Sequence, residues 1–374
     1  MTLKHSIRLR TQAGLTLVEL MIAITLSLII VGAVMAVYLT SSTTYRVNRN
    51  LAVLQNDARY GIGTLSQQLR EAGYDGCLNN MAVPRNDLNA PGTQYGLDYG
   101  QWVDGFEYAA GSWTQPINPA ITTALASATP PLYATTGVGA EDILVVRRAD
   151  PSQAVSVQQN SAPGSASITV SSPNSLYPGE IVLVTDCASA DIFQVTGPTN
   201  PSIAGVVVHN TGSSQTPGNA IQGFSADYNT DAQILPIATV AYVVAAPAAG
   251  AGAPAPIPSL WSVNLTANPG TSAAAPALLA PDVVAMRVFY GEDTDGDHAA
   301  NEYVDLTTAL AMDPQLNNVV SLRLVLLFVT AEDNLTSTIS PVNNFPSLGN
   351  TYTPTDHRLY RVFSTTIALR ERTH

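Results

Sequence analysis

Cysteine is scarce in this chain of 374 residues: Cys77 and Cys187 are the only two, too far apart for a CxxC metal or redox motif. A structural bridge or two buried thiols remain. Charge is sparse as well, at 12% of residues, and one-sided, with 16 lysines and arginines against 28 aspartates and glutamates. A body that acidic repels phosphate at long range, so nucleic acid is a poor default partner. Catalytic signatures are missing. The five histidines (His5, His209, His298, His357, His374) are scattered without an HExxH pair, and no G-x-S-x-G elbow or GxxxxGK[ST] phosphate loop occurs. Gly61-Ile62-Gly63 begins a GxGxxG fingerprint and fails at the next required glycine. These absences argue against an enzyme. Apolar residues are plentiful: 46% hydrophobic content over this length builds a core readily and excludes wholesale disorder.

The longest apolar run is Leu15–Leu39 (LTLVELMIAITLSLIIVGAVMAVYL), about 37 Å long as a helix and enough to cross a bilayer. Lys4, Arg8 and Arg10 precede it and no acid occurs before Glu19. The positive-inside rule therefore puts the N-terminus in the cytoplasm and everything after Tyr38 outside. A secretory signal is shorter and ends in a small-residue cleavage site, whereas here the small residue, Gly14, comes before the run. A plain signal anchor accounts for all of this except Glu19. An ionisable group one turn into a lipid-facing helix costs at least ~2.5 kcal/mol near the bilayer centre, and less near the interface, so it calls for a partner. A cut between Gly14 and Leu15 supplies one: the new α-amino group lies at similar depth, on the same chain or on a neighbour in a helical bundle. Removing the three leader cations from the 16 leaves 13 against 28 acids, a formal −15. Export to an oxidising compartment favours a Cys77–Cys187 bridge over two thiols.

The string Gly14-Leu15-Thr16-Leu17-Val18-Glu19-Leu20 behind a short basic leader resembles the type IV prepilin motif. The resemblance implies that a prepilin peptidase cuts after Gly14 on the cytoplasmic face and methylates the new N-terminus at Leu15. It also implies that Glu19 guides docking into a growing fibre. The residue after the cut is usually Phe in that family, and the similarly apolar Leu15 stands there instead.

Past the membrane, Leu51, Leu54, Ala58, Ile62, Leu65 and Leu69 step by three and four, one apolar helical stripe. One helix is expected over 15–73, transmembrane over 15–39 and amphipathic over 40–73, with Gly73 as its stop. Gly61 and Gly63 mark a weak turn or a close contact. From 74 to 374 the texture is Gly, Pro, Ser, Thr and Asn punctuation between short β-branched runs, a mostly antiparallel sheet. The strands expected are Ile143–Arg147, Ser167–Val170, Ile181–Thr185, Ile192–Val195, Val206–His209, Thr239–Val244, Trp261–Leu265, Val283–Tyr290, Val319–Thr330 and Tyr360–Leu369. Within them Leu322–Val329 is apolar on both faces apart from Arg323, as a central strand packed on the helix stripe would be. The Ala/Gly/Pro run Ala245–Pro258 reads as an exposed loop, which leaves open one head domain or two. Aromatics from Tyr95 to Trp113 form either a small core under long loops or a contact surface. The fold class is α+β, pilin-like: a long N-terminal helix and a large β-rich head.

Patches along the head resemble the PilW family of minor pilins: Leu69-Arg70-Glu71-Ala72-Gly73-Tyr74 followed by Cys77, Glu141–Arg147, Asp186-Cys187 followed by Asp191–Val195, and the ending Arg361–Arg370. This resemblance implies a low-abundance subunit that initiates fibre assembly at a Gram-negative inner membrane. Its partners would be the prepilin peptidase, other minor pilins and the major pilin, with its place near the pilus tip. A type II secretion pseudopilin shares the same N-terminus, and a membrane-displayed adhesion or binding module is a reading of another class. No cofactor is required. The loop Asp293-Thr294-Asp295-Gly296-Asp297-His298-Ala299-Ala300-Asn301 places oxygens at positions 1, 3, 5 and 9 of an EF-hand-like calcium loop, but the sixth position is His298 and the twelfth Val304. Calcium held by Asp293, Asp295, Asp297 and Asn301, or an acidic solvated turn, are the two readings.

Overall fold

The computed structural model describes residues 16–78, 84–89, 95–97, 99–109, 111–135, 141–212, 215–250, 255–266, 275–343, 345 and 351–369. An unbroken helix runs Leu17–Leu69, 53 residues. Two compact units divide the chain, Met1–Ala52 and Val53–His374, and the helix contributes to both.

In the first unit the helix is apolar on every side from Leu17 to Leu39, and those side chains are uncovered. It is the one helix among the described residues long and apolar enough to cross a membrane. Several of its hydroxyls bond back onto the helix. Thr25 donates to the carbonyls of Met21 and Ile22, Ser27 to Ala23 and Thr40 to Ala36, at 2.7–3.1 Å. Such back-bonding is what an environment without water demands of a polar side chain.

In the second unit the helix buries Leu54, Ala58, Gly61, Leu65 and Leu69. The expected stripe differs at two places: Leu51 is only half-buried, and Gly61 shares the seam with a partly buried Ile62. The reason is a close approach. A Cβ built on Gly61 would lie 2.5 Å from the Cβ of Ala280, whereas one on Gly63 meets nothing within 4 Å. Gly61→Leu is therefore expected to cost about 1–3 kcal/mol through overpacking. Gly63→Ala should instead stabilise by up to ~1 kcal/mol, because it removes only glycine's helix penalty. Urea unfolding of the two variants checks the contrast. The helix ends in a turn, and Gly73 sits in the left-handed region at φ 81 with its N–H on the Arg147 carbonyl at 2.9 Å.

Beyond the helix the architecture is sheet. The strand Gln233–Pro247, 15 residues, is its spine. Its first residues pair with Ile181–Thr185 on one side and Val155–Ser156 on the other. Its later residues pair with Ile143–Ala149 and with Ser259–Asn264. All of these pairings are antiparallel, and together they anchor a 10-stranded sheet. A separate four-stranded sheet runs in the order Glu302–Val304, Val283–Glu292, Val319–Val329, Tyr360–Ala368. Its Val319–Val329 strand is interior, as its doubly apolar pattern demands. Leu322, Leu324, Leu326 and Phe328 join the helix residues in the main core, while Val325, Leu327 and Val329 join Phe345 and Tyr360 on the other face.

The low-complexity run corrects one expectation. Ala245, Ala246 and Pro247 continue the spine strand and pair with Ala134, Tyr133 and Leu132; Pro247 is its terminal residue, where a missing N–H costs the ladder least. Residues 251–254 lie outside the described residues. The aromatic interval is interior: Tyr99, Phe106 and Tyr108 are buried, and Tyr95 and Trp113 pack on the cluster formed by Phe106, Ile121, Leu125 and Val145.

A second buried aromatic cluster holds a histidine. His209 is fully buried, with its ring centroid 4.1 Å from that of Phe224 and 4.8 Å from Phe193. Burial, helped by the positive charge of Arg85, pushes its pKa down to about 4. The unfolded chain therefore binds a proton between pH 6.5 and about 4 that the folded head refuses, so this group's contribution is lost as pH falls through that window, by up to ~3 kcal/mol. Glu180, pushed up to about 7 by burial, titrates in the opposite sense, so the total profile mixes the two. The difference between wild type and His209→Leu in urea midpoint, followed from pH 7 to 4.5, isolates the histidine: the variant should lose less stability on acidification.

Candidate functional site

The N-terminal turn of the helix is closed by two side chains. Leu17 is the first helical residue, so the amides of the first turn have no partner one turn earlier. Thr16 fills that gap: its Oγ1 accepts from the Glu19 N–H at 3.2 Å. Glu19 Oε2 reciprocates, accepting from the Thr16 N–H at 3.5 Å and from its hydroxyl at 3.4 Å. This is a capping box, Thr at N-cap and Glu at N3, and it sets the carboxylate at the positive end of the helix dipole. The Thr-x-x-Glu spacing thus gives Glu19 a local role besides that of a charge in want of a cation.

Glu19 is exposed, and it is the sole acidic or basic residue from Leu17 to Tyr45. Gly14 and Leu15, the expected cleavage and methylation positions, lie outside the described residues. Chain connectivity still constrains them. An amine created at Leu15 belongs to the residue next to Thr16, about 3.8 Å away from Cα to Cα. Glu19 is hydrogen-bonded to Thr16, the residue that follows Leu15 in the chain.

The structure joins Cys77 and Cys187 in a disulfide across a sequence separation of 110. Local geometry prepares both partners. Cys187 occupies a left-handed position, φ 71, in the turn between Ile181–Thr185 and Ala190–Gln194, and its N–H donates to Thr185 Oγ1 at 3.3 Å. On the other side Gly76, φ 91, lies so near Thr185 that a Cβ would meet its methyl at 2.6 Å. The bridge therefore ties the segment leaving the helix to the sheet hairpin. Beside it Arg148 pairs with Glu71, and the Ala149 N–H reaches the Tyr74 carbonyl at 2.7 Å.

The acidic loop gathers Asp293, Asp295 and Asp297 so that one ligand oxygen from each lies within 4.8 Å of the others. The same oxygens also close the loop on itself. Asp293 accepts from the amides of Asp295, Gly296 and His298 at 2.7–3.2 Å, and backbone hydrogen bonding holds its pKa below the ordinary carboxylate value. Asn301, the expected ninth-position ligand, turns its Oδ1 to the Thr294 N–H at 2.7 Å. Asp305, one nearby substitute for the missing twelfth ligand, instead caps the helix Leu306–Met312 by accepting from Thr308 N–H. Three carboxylates converge, then, and the fourth oxygen is committed to the turn.

Two stretches of the chain match known family models. Residues 9–35 match the prokaryotic N-terminal methylation motif, and residues 241–371 match the type IV pilus-assembly protein W. No curated protein and no solved structure matches the chain. The first match contains the capped helix start and most of the apolar span; the second contains the end of the spine strand and the whole four-stranded sheet. With the methylation motif at one end, this family's region at the other and a single apolar helix leading into a sheet-rich head, the chain matches a type IV pilin of the PilW family.

Proposed function

We propose that the protein is a minor pilin that helps initiate assembly of a type IV pilus at the inner membrane. Its leader lies in the cytoplasm, a prepilin peptidase cuts after Gly14 and methylates Leu15, and the head lies in the periplasm. One observation carries the reading: a helix apolar on all sides from Leu17 to Leu39, where the sole acidic or basic residue, Glu19, stands in its first turn beside the position of the cut. Apolar surface of that kind is covered by lipid before assembly and by neighbouring helices after it, with Glu19 pairing to the amine of an adjacent subunit. The partners are the peptidase, other minor pilins and the major pilin, and the subunit's place in the finished fibre is near the tip. The role is structural, and no cofactor is required. A calcium ion on Asp293, Asp295 and Asp297 is an optional addition that would neutralise a loop already closed by its own amides; calorimetry of the head in millimolar calcium tests it.

Deletion of the coding sequence tests the assembly role. Pilus number should collapse while protein secretion continues, and re-expression should restore pili. Normal piliation with failed secretion would make the chain a type II secretion pseudopilin. Normal pili and normal secretion with lost surface attachment would make it a displayed binding module.

A further inference from the structure

The apolar helix carries charge at both of its ends, and Glu19 accounts for only one of them. The next acidic residue after Glu19 is Asp57. Between the two, the only charged residues are Arg46 and Arg49, both exposed and both within ten residues of the end of the apolar run at Leu39. The charge bias of membrane proteins favours cations on the leader's side of a bilayer and gives no reason for them on this one. Two arginines directly beyond the span therefore call for negative charge at their depth.

Helix geometry sets that depth. A hydrocarbon core of ~30 Å takes about 20 helical residues. Leu20–Leu39 is a run of that length, and it leaves Glu19 at one boundary. The headgroup layer adds about 5–8 Å on each side, or roughly five residues. Thr40-Ser41-Ser42-Thr43-Thr44 fills it with hydroxyls, of which those of Thr40, Thr43 and Thr44 donate to carbonyls one turn back at 2.9 Å. Tyr38 and Tyr45, 66% and 68% exposed, bracket this collar as interfacial aromatics do. Arg46 then stands about 10 Å beyond Leu39 and Arg49 about 15 Å beyond it. Both lie within a Debye length of about 8 Å of the headgroup layer. Every Cα–Cβ bond of a helix tilts toward its N-terminus, so the two side chains lean back toward that layer. Tyr38, Ser42, Tyr45 and Arg49 step by four, three and four along one face, and Arg46 lies one turn before Arg49.

We propose that Arg46 and Arg49 bind the phosphate groups of anionic phospholipid in the leaflet on the head's side, with Tyr45 packed among the same headgroups. The contact holds the helix at the depth that puts Glu19 at the opposite boundary. A guanidinium fork meets two phosphate oxygens at once, which suits arginine to this partner. The spacing favours lipid over a carboxylate of a neighbouring subunit. The hydroxyl collar has the thickness of a headgroup layer, and a bilayer offers phosphate to every side of the helix before any subunit stands beside it. The proposal rests on the reading of this helix as a membrane span, and on neither cleavage nor the pairing of Glu19 with an amine.

The test titrates the delipidated full-length chain in nonionic detergent with phosphatidylglycerol or with phosphatidylcholine of the same acyl chains, and counts bound lipid by native mass spectrometry. All chains compared carry Lys4→Gln, Arg8→Gln and Arg10→Gln, which removes the leader's own attraction to phosphate. The reference chain should prefer phosphatidylglycerol by on the order of tenfold or more, at about fivefold for each arginine near the surface, and added salt should weaken the preference. Arg46→Gln with Arg49→Gln should reduce it to about twofold or less. Arg59→Gln, about 15 Å further along the helix than Arg49, should leave it unchanged. Circular dichroism confirms that each variant folds. No preference in the reference chain, or an equal preference in the double variant, overturns the proposal. Displacement of the lipid by inorganic phosphate at equal concentration also overturns it, in favour of a free-anion site. Carbonate extraction of the same chains from vesicles tests the span separately. A chain released by carbonate contradicts the span and the proposal with it, whereas a chain retained without lipid preference contradicts the proposal alone.

Discussion

Glu19→Ala is expected to leave the protein folded and cleaved while fibre initiation falls by at least about tenfold. A charge-pair contribution of ~1.4 kcal/mol already gives that factor, and an ionisable group near lipid is worth more than this when paired. The head should be untouched, because Glu19 lies in the first compact unit and its side chain bonds only to Thr16 among the described residues. The capping box, however, gives the alanine variant two defects at once, a lost charge and a lost cap, and two further variants separate them. Glu19→Gln keeps an oxygen to accept from Thr16 and removes the charge; it should assemble as poorly as the alanine variant. Thr16→Ala removes the cap and keeps the charge; it should lose about 0.5–2 kcal/mol of local helix stability and assemble nearly normally. Electron-microscopic pilus counts read all three. If Glu19→Gln makes normal pili, the carboxylate serves the helix and not a partner's amine.

Cys77→Ser should destabilise the head by up to about 4–5 kcal/mol. In the chain-entropy model, the bridge removes from the unfolded ensemble the freedom of a loop of 110 residues. Domains of this kind are stable by only about 5–15 kcal/mol in all, so the loss takes up to about a third of the total at the upper end and most of it at the lower. Part of the effect is positional. The bridge clamps the segment that leaves the helix onto the Ile181–Gln194 hairpin, where the Arg148–Glu71 pair and the Gly73 and Ala149 amides make the other attachments. Urea unfolding with and without reductant should show the wild type falling to the variant's midpoint on reduction. Non-reducing peptide mapping that recovers both thiols free would remove the premise.

Much of this fold is written in alternation. Ile181–Thr185 and Tyr360–Ala368 are legible because β-branched runs between turn residues have no better way to bury one face or both, and Leu322–Val329 reads as interior because both faces are apolar. The region from 84 to 134 resists the same reading. Its strands are two to four residues long, too short for a period to show, and its helix Pro119–Ala126 is signalled only by Asn118 as cap and Pro119 in the first turn. The spine strand Gln233–Pro247 is longer than its β-branched core Thr239–Val244 because flanking residues are held by partners from distant parts of the chain, a tertiary effect no local window contains. The candidate assembly site is legible for the opposite reason: an acid within an apolar run is conspicuous alone.

The measurement that bears most directly on the assembly account is the N-terminal sequence and mass of the protein recovered from membranes. A chain beginning at Leu15, heavier by one methyl group than its sequence requires, gives Glu19 the ammonium it needs at the depth where it sits. A chain that still begins at Met1 leaves Glu19 as a helix cap alone and contradicts the account.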